Sequence, residues 1–268
     1  MLTPFPYYGS KQRVAEEIWR RFGDPRWYFE PFGGAGGCLM GRPHAGPHEA
    51  IGDVDCQIAN FYRAIRFGGV EEVAKYADWP ASQLDLTARY HWLREQRLRL
   101  QEGLKSDPCW FDAKAAGCFS YVLSNRYGSH SHTLSIERCA GTSRTGSYTE
   151  YLTELETRLR RVTIHHGSWV KIAKCAKRVS KRDSAAILLD PPYGYETGRT
   201  RNLYQHDSGT LAGIVHRWAL AMVKVRPRLR MALCGMRREH DLPGWSFSDW
   251  RTNGGAEERI WFSPSCNP

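Results

Sequence analysis

The sequence predicts an α/β fold: a mostly parallel sheet flanked by helices and interrupted by a basic, mostly helical insertion. Three observations carry this. The apolar run Ala185-Ala186-Ile187-Leu188-Leu189 has the length and continuity of a strand buried on both faces, and Asp190-Pro191-Pro192-Tyr193 ends it. The aromatic strand Trp27-Tyr28-Phe29 runs into Glu30-Pro31-Phe32-Gly33-Gly34-Ala35-Gly36-Gly37, a glycine-rich turn of the kind that joins strand to helix. Between these two features, residues 76–150 change to a basic and then polar composition.

The elements follow in chain order. Residues 11–22 place Val14, Ile18 and Trp19 at helical spacing. Residues 27–29 form the first strand and 50–52 the second. Residues 58–67 read as a helix with Ile58, Phe61, Tyr62 and Ile65 on one face. One long helix is expected over 84–104, with Leu86, Tyr90, Leu93, Leu100 and Leu104 at helical spacing. Its other face carries Arg89, Arg94, Arg97 and Arg99, and a solvated surface accounts for any single one of them. After the apolar run 119–123, the polar stretch 124–148 is long for a loop without function. A helix over 151–161, a strand over 162–165 and a basic helical run with Lys171, Lys174, Lys177, Arg178, Lys181 and Arg182 lead to the strand before Asp190. A helix over 210–225 and strands over 229–234 and 258–262 complete the pattern. There is no internal repeat. The expected organisation is a catalytic domain of residues 1–75 and 151–268, with 76–150 inserted as a target-recognition segment.

The chain has 268 residues, 41% of them hydrophobic, which is enough for a substantial core. Lys and Arg number 38 against 28 Asp and Glu, a formal net charge of +10, which favours a polyanionic partner. No run of 18 apolar residues exists, so no membrane span is expected. Met1-Leu2-Thr3-Pro4-Phe5-Pro6 has neither a charged nor an apolar signal region, so a cytoplasmic location is expected. The eight cysteines include no C-x-x-C pair and read as free thiols. Cys109, Cys118, His130, His132 and Cys139 match no standard zinc spacing, so no metal is expected.

The strand end at Asp190 presents a carboxylate, an aromatic ring and carbonyls backed by no N–H. These suit the exocyclic amine and flat ring of a nucleobase, although a plain strand-ending turn with a packed Tyr193 uses the same residues. The glycine turn is not a phosphate-cradling loop, since no Gly-Lys-Ser/Thr follows. Leu39 stands where a dinucleotide pattern needs glycine or alanine, which disfavours a nicotinamide cofactor. Asp53, in Ile51-Gly52-Asp53-Val54-Asp55, follows the turn at the distance of a ribose-binding acid. It is equally placed to cap the next helix, as is Asp55.

Taken in order, these segments resemble the Dam-like adenine-specific DNA methyltransferases over most of the chain. Tyr7-Tyr8-Gly9-Ser10-Lys11 stands first, then Phe29 to Gly36, Asp53, the insertion, and Asp190-Pro191-Pro192-Tyr193. Leu233-Cys234-Gly235 and Ile260-Trp261-Phe262-Ser263-Pro264 resemble the family more weakly. The resemblance implies a Rossmann-like S-adenosylmethionine-dependent methyltransferase sheet and methyl transfer to the 6-amino group of adenine. It implies a donor site of Tyr7 and Lys11 at the methionine end, Glu30, Pro31, Phe32, Gly33, Gly34, Ala35 and Gly36 along the turn, Asp53 at the ribose with Val54 beside it, and Asp190. Where the family often has Asp-Phe bordering the donor's adenine, this chain has Ser168-Trp169, and Trp169 is also compatible with a core position. Asp190 and the Pro191 carbonyl would hold the target amine, with Pro192 in the same turn and Tyr193 stacking on a base turned out of the duplex. Asn125, Arg126, His130, His132, Arg138 and Arg144 would touch DNA, as base readers or phosphate contacts. The implied partner is double-stranded DNA and the implied state a monomer or weak dimer. The implied setting is a bacterial or phage-infected cell, with or without a partner nuclease. Methylation of cytosine's 4-amino group, and a decayed DNA-binding protein of the same fold, are the alternatives.

Overall fold

Five strands run parallel: Trp27–Glu30 (β1), His48–Asp53 (β2), Val162–His166 (β3), Ala185–Leu189 (β4) and Leu229–Met236 (β5). Ser246–Arg251 (β6) and Glu257–Phe262 (β7) complete a seven-stranded sheet of order β3-β2-β1-β4-β5-β7-β6, in which β7 is antiparallel to both neighbours. The computed structural model describes residues 1–125, 147–195, 209–251 and 255–267.

Both sheet faces are covered, and the strand sequences show why. In β4 every residue is buried, with Ala186 and Leu188 in one core cluster and Ala185, Ile187 and Leu189 in the other. Side chains alternate across a strand, so a strand between two helical layers must be apolar at every position.

The first layer contains a 3₁₀ turn, Lys11–Val14, followed by Ala15–Phe22 (α1), Gly37–Met40 (α2) and Cys56–Arg66 (α3). It continues through Val70–Ala77 (α4), Gln83–Glu95 (α5), Arg97–Ser106 (α6), Ala113–Asn125 (α7) and Tyr148–Leu159 (α8). The second layer is Val170–Arg178 (α9) and Leu211–Val225 (α10). In α1 the buried residues Ala15, Ile18, Trp19 and Phe22 form a single stripe, with Glu16 and Glu17 in the first turn.

The helix expected over 84–104 is two helices. The Leu93 carbonyl, which a continuous helix would pair with the Arg97 N–H, accepts from Gln57 Nε2 of α3 at 3.1 Å. Cys56 Sγ lies 3.9 Å from the Arg97 carbonyl, so α3 holds the chain on both sides of the break at Gln96. The apolar run 119–123 belongs to α7, whose residues 115–122 are all buried. Cys109 is exposed and Cys118 buried; His130, His132 and Cys139 lie outside the described residues, among which no metal-holding cluster occurs. No described helix is long and apolar enough to cross a membrane.

From β1 the chain steps outward to β2 and β3, then returns to place β4 on the other side of β1. The order reverses between β1 and β4, and a crevice opens beyond the carboxyl ends of those two strands. Glu30 ends β1 and Leu189 ends β4, so both features singled out in the sequence emerge at one point. The architecture is a Rossmann-like α/β sheet, with a run of helices, α4 to α7, between α3 and α8.

Candidate active site at the switch point

A cavity of about 360 Å³ lies in this crevice, within the usual size of a small-molecule site. Four segments line it: Tyr7 to Lys11, Glu30 to Gly37 without Gly36, Asp53 to Asp55, and Gly167 to Trp169. Asp190, Pro192 and Leu211 close it.

The floor is built from backbone. Gly33 N–H donates to the Gly52 carbonyl at 2.8 Å, which ties the turn after β1 to the end of β2. Gly34 has φ +47°, and a Cβ there would stand 2.7 Å from the Tyr7 ring, so only glycine lets the turn pass under that ring. Asp53 accepts from Gly34 N–H at 3.0 Å through Oδ2 and from Asp55 N–H at 2.9 Å through Oδ1. Asp55 is the helix cap, accepting from Gln57 N–H at 2.9 Å. The capping role that the sequence leaves open between the two acids therefore falls to Asp55. Asp53 is left at the cavity wall, where burial, followed by the neighbouring Asp55 charge, pushes its carboxyl up to about 6.

Glu30 lines the cavity yet faces inward. Its Oε2 accepts from the Tyr28 hydroxyl at 2.9 Å and from Leu39 N–H at 3.0 Å, which fixes the start of α2. Burial pushes its carboxyl up to about 8, against the pull of those hydrogen bonds. Trp169 lines the cavity while packing on Phe32, ring centroids 5.9 Å apart and 26° between planes, and edge-on against Trp218. Val54 is exposed at the rim.

At the other end, Lys11 Nζ donates to Asp190 Oδ2 at 2.7 Å and to the Gly9 carbonyl at 2.8 Å, and stands 3.7 Å from Glu258 Oε2. Burial opposes the ammonium charge, but Asp190 and Glu258 outweigh it and hold Lys11 protonated well above the ordinary lysine value. Burial raises the Asp190 carboxyl, and Lys11 pulls it back. Tyr193 is 7% exposed and does not line the cavity; its hydroxyl donates to Glu258 Oε2 at 2.9 Å and lies 3.5 Å from Asp190 Oδ1. The ring expected to stack on a base is covered in this arrangement. Pro191 is buried behind Asp190, whereas Pro192 reaches the cavity.

The structure thus gathers Tyr7, Lys11, Glu30, Pro31, Phe32, Gly33, Gly34, Ala35, Asp53, Val54, Ser168, Trp169, Asp190 and Pro192 around one cavity, and leaves Gly36, Pro191 and Tyr193 off its wall. Asn125 bonds back along its own helix, Nδ2 donating to the Tyr121 carbonyl at 2.9 Å. Arg126, His130, His132, Arg138 and Arg144 lie outside the described residues. Sequence reasoning named Tyr8, Gly9, Ser10 and Gly37 only within their motifs and Asp55 only as a cap, and missed Gly167 and Leu211 on the wall and Glu258 behind it.

The donor set fits a nucleoside-bearing cationic amino acid. The Ser10 hydroxyl oxygen is buried with no partner among the described residues and lies on the wall, which suits the polar amino-acid end. Asp53 offers acceptor oxygens for ribose hydroxyls, and Val54 and Trp169 offer apolar surface for a flat base.

No model of a known protein family matches the chain, and no curated protein compared with it is similar enough to match. Among solved structures it is similar to an rRNA methyltransferase, AviRa of Streptomyces viridochromogenes. That match has 14% identity, covers 96% of this chain and 85% of that one, and gives a TM-score of 0.38. A likeness that distant assigns neither substrate nor reaction to this chain.

Proposed function

We propose that the protein transfers a methyl group from S-adenosylmethionine to the 6-amino group of adenine in DNA. The observation that carries this reading is the shared cavity. The glycine turn with Asp53 lies at one end, and Asp190 with Pro192 at the other, across the switch point of one sheet.

S-adenosylmethionine supplies a methyl group on a positively charged sulfur. The chain holds it through Ser10 and Tyr7 at the amino-acid end, Asp53 at the ribose, and Val54 and Trp169 at the adenine. Asp190 accepts one hydrogen of the target amine. The ring-conjugated nitrogen is a poor nucleophile, and a carboxylate acceptor favours a pyramidal nitrogen with its lone pair available. Methyl transfer would form the methyl–nitrogen bond as the methyl–sulfur bond breaks, moving the positive charge from sulfur to nitrogen. The resulting cationic amine is a strong acid, so its proton could pass by way of Asp190 to water without a strong base. Holding amine and methyl group in line supplies proximity. Lys11 fixes Asp190 in place and pulls its burial-raised carboxyl back towards the ionised form.

The net charge of +10 supports a polyanionic substrate, with an affinity that falls as salt rises. Mass spectrometry of nucleosides from duplex DNA incubated with the protein and S-adenosylmethionine tests the assignment. N6-methyladenine is the expected product; N4-methylcytosine, or no methylated nucleoside, contradicts it.

A further inference from the structure

Behind Asp190, on the side away from the cavity, Glu258 is the partner of two groups that also touch Asp190. It reaches this position because β7 pairs antiparallel with β5, placing Glu258 opposite Met236, just beyond the end of β4. Glu258 is 4% exposed. Its Oε2 accepts the Tyr193 hydroxyl at 2.9 Å and stands 3.7 Å from Lys11 Nζ. Glu257 and Arg259 beside it are only half-buried, but a carboxylate buried like that of Glu258 is costly unless it is paired, so its presence needs a reason.

The geometry supplies one. Asp190 has two oxygens, and Lys11 occupies Oδ2 at 2.7 Å. Lys11 leaves Oδ1 to a substrate amine; the Tyr193 hydroxyl lies 3.5 Å from it, and the Cys234 thiol also hydrogen-bonds to the carboxylate. A tyrosine hydroxyl carries one hydrogen and can donate it to one strong acceptor at a time. The 2.9 Å contact with Glu258 is the shorter, and Tyr193 donates there. Were Glu258 apolar, the nearest carboxylate for that hydrogen would be Asp190 Oδ1, and the amine would have to compete for it.

We propose that Glu258 is a positioning residue that draws the Tyr193 hydroxyl hydrogen away from Asp190 and so keeps Asp190 Oδ1 open as the acceptor for the substrate amine. This rests on the reading of Asp190 as the amine acceptor. Glu258 touches neither substrate nor donor and acts through Tyr193.

The test compares Glu258→Leu, Glu258→Gln and the double variant Glu258→Leu/Tyr193→Phe in steady-state methyl transfer to duplex DNA. Glu258→Leu is expected to lower kcat about tenfold or more, the scale of one misdirected hydrogen bond to a charged group, with the KM for S-adenosylmethionine unchanged. Glu258→Gln keeps a carbonyl acceptor for the hydroxyl and should lose less. In the double variant the interfering hydrogen is gone and most of kcat should return. A double variant no faster than Glu258→Leu overturns the proposal, because Glu258 would then act through Lys11 or through packing alone. Wild-type kcat in Glu258→Leu overturns it too. Glu258→Met, unbranched and of similar length, serves the same comparison should the leucine variant not fold. If the wild-type protein methylates no amine at all, the failure lies with the reading of Asp190 itself, which separates the two.

Discussion

Lys11 Nζ stands 2.7 Å from Asp190 Oδ2, joining residues 179 positions apart in the chain, and both side chains are largely buried. The pair fastens the N-terminal segment across the switch point onto the end of β4. Removing one member of a buried pair leaves an uncompensated charge, at a cost of about 3 kcal/mol. Lys11→Met should therefore lower the unfolding free energy read from urea denaturation by about that much. With the ammonium gone, burial is opposed by the Tyr193 and Cys234 hydrogen bonds without Lys11, and the Asp190 carboxyl rises further. The acid limb of the kcat–pH profile should then move to higher pH. An unmoved limb would show that Lys11 does not set the charge state of Asp190.

Glu30 makes stability depend on pH. Its folded-state value, about 8, lies above the ordinary 4.5, so the folded chain holds a proton that the unfolded chain releases. The stabilisation is complete below about 4.5 and is lost as pH rises towards 8, at up to about 1.4 kcal/mol per pH unit. Glu30→Gln stays neutral throughout, so its melting temperature should fall less than that of the wild type between pH 5 and 8. Parallel melting curves would contradict the burial argument.

In the proposed donor site, Asp53 should give binding its own pH dependence. Hydroxyl donors favour the ionised carboxylate, and burial raises this one to about 6. Affinity for S-adenosylhomocysteine, measured by calorimetry, should strengthen from pH 5 to pH 7 in the wild type. It should be weaker and flat over the same range in Asp53→Asn.

Gly34 is constrained on two counts, by φ +47° and by the Tyr7 ring 2.7 Å from any Cβ. Gly34→Ala should cost about 1–2 kcal/mol of stability. It should weaken donor binding by more than that cost alone explains, because the displaced ring belongs to the cavity wall. Equal donor affinity in the variant would place the donor elsewhere.

Much of this was legible in the sequence because it is local. A buried apolar strand stopped by two prolines, and an aromatic strand opening into glycines, each carry their meaning within ten residues. That both strands end at one edge of the sheet follows from the parallel pattern, but that β1 and β4 are neighbours depends on the reversal of strand order, which no local signal carries. The unread parts have physical reasons. β6 alternates exposed and half-buried residues at the sheet edge, where little apolar signal survives. α7 is buried along most of its length and shows no stripe to betray its period. The break at Gln96 depends on Gln57, a side chain 36 residues from the carbonyl it takes. Glu258 sits in Glu-Glu-Arg-Ile-Trp, which reads as an ordinary surface-facing strand. Only the antiparallel return of β7 brings it to Lys11 and Tyr193.

The central claim is that Asp190 receives the amine at which methyl transfer occurs. Its most direct test is product formation by wild type and Asp190→Ala on the same duplex DNA with methyl-labelled S-adenosylmethionine, with DNA binding measured alongside. The account predicts labelled N6-methyladenine from the wild type and none from Asp190→Ala, while the variant still binds DNA. Undiminished label in adenine from Asp190→Ala would contradict it.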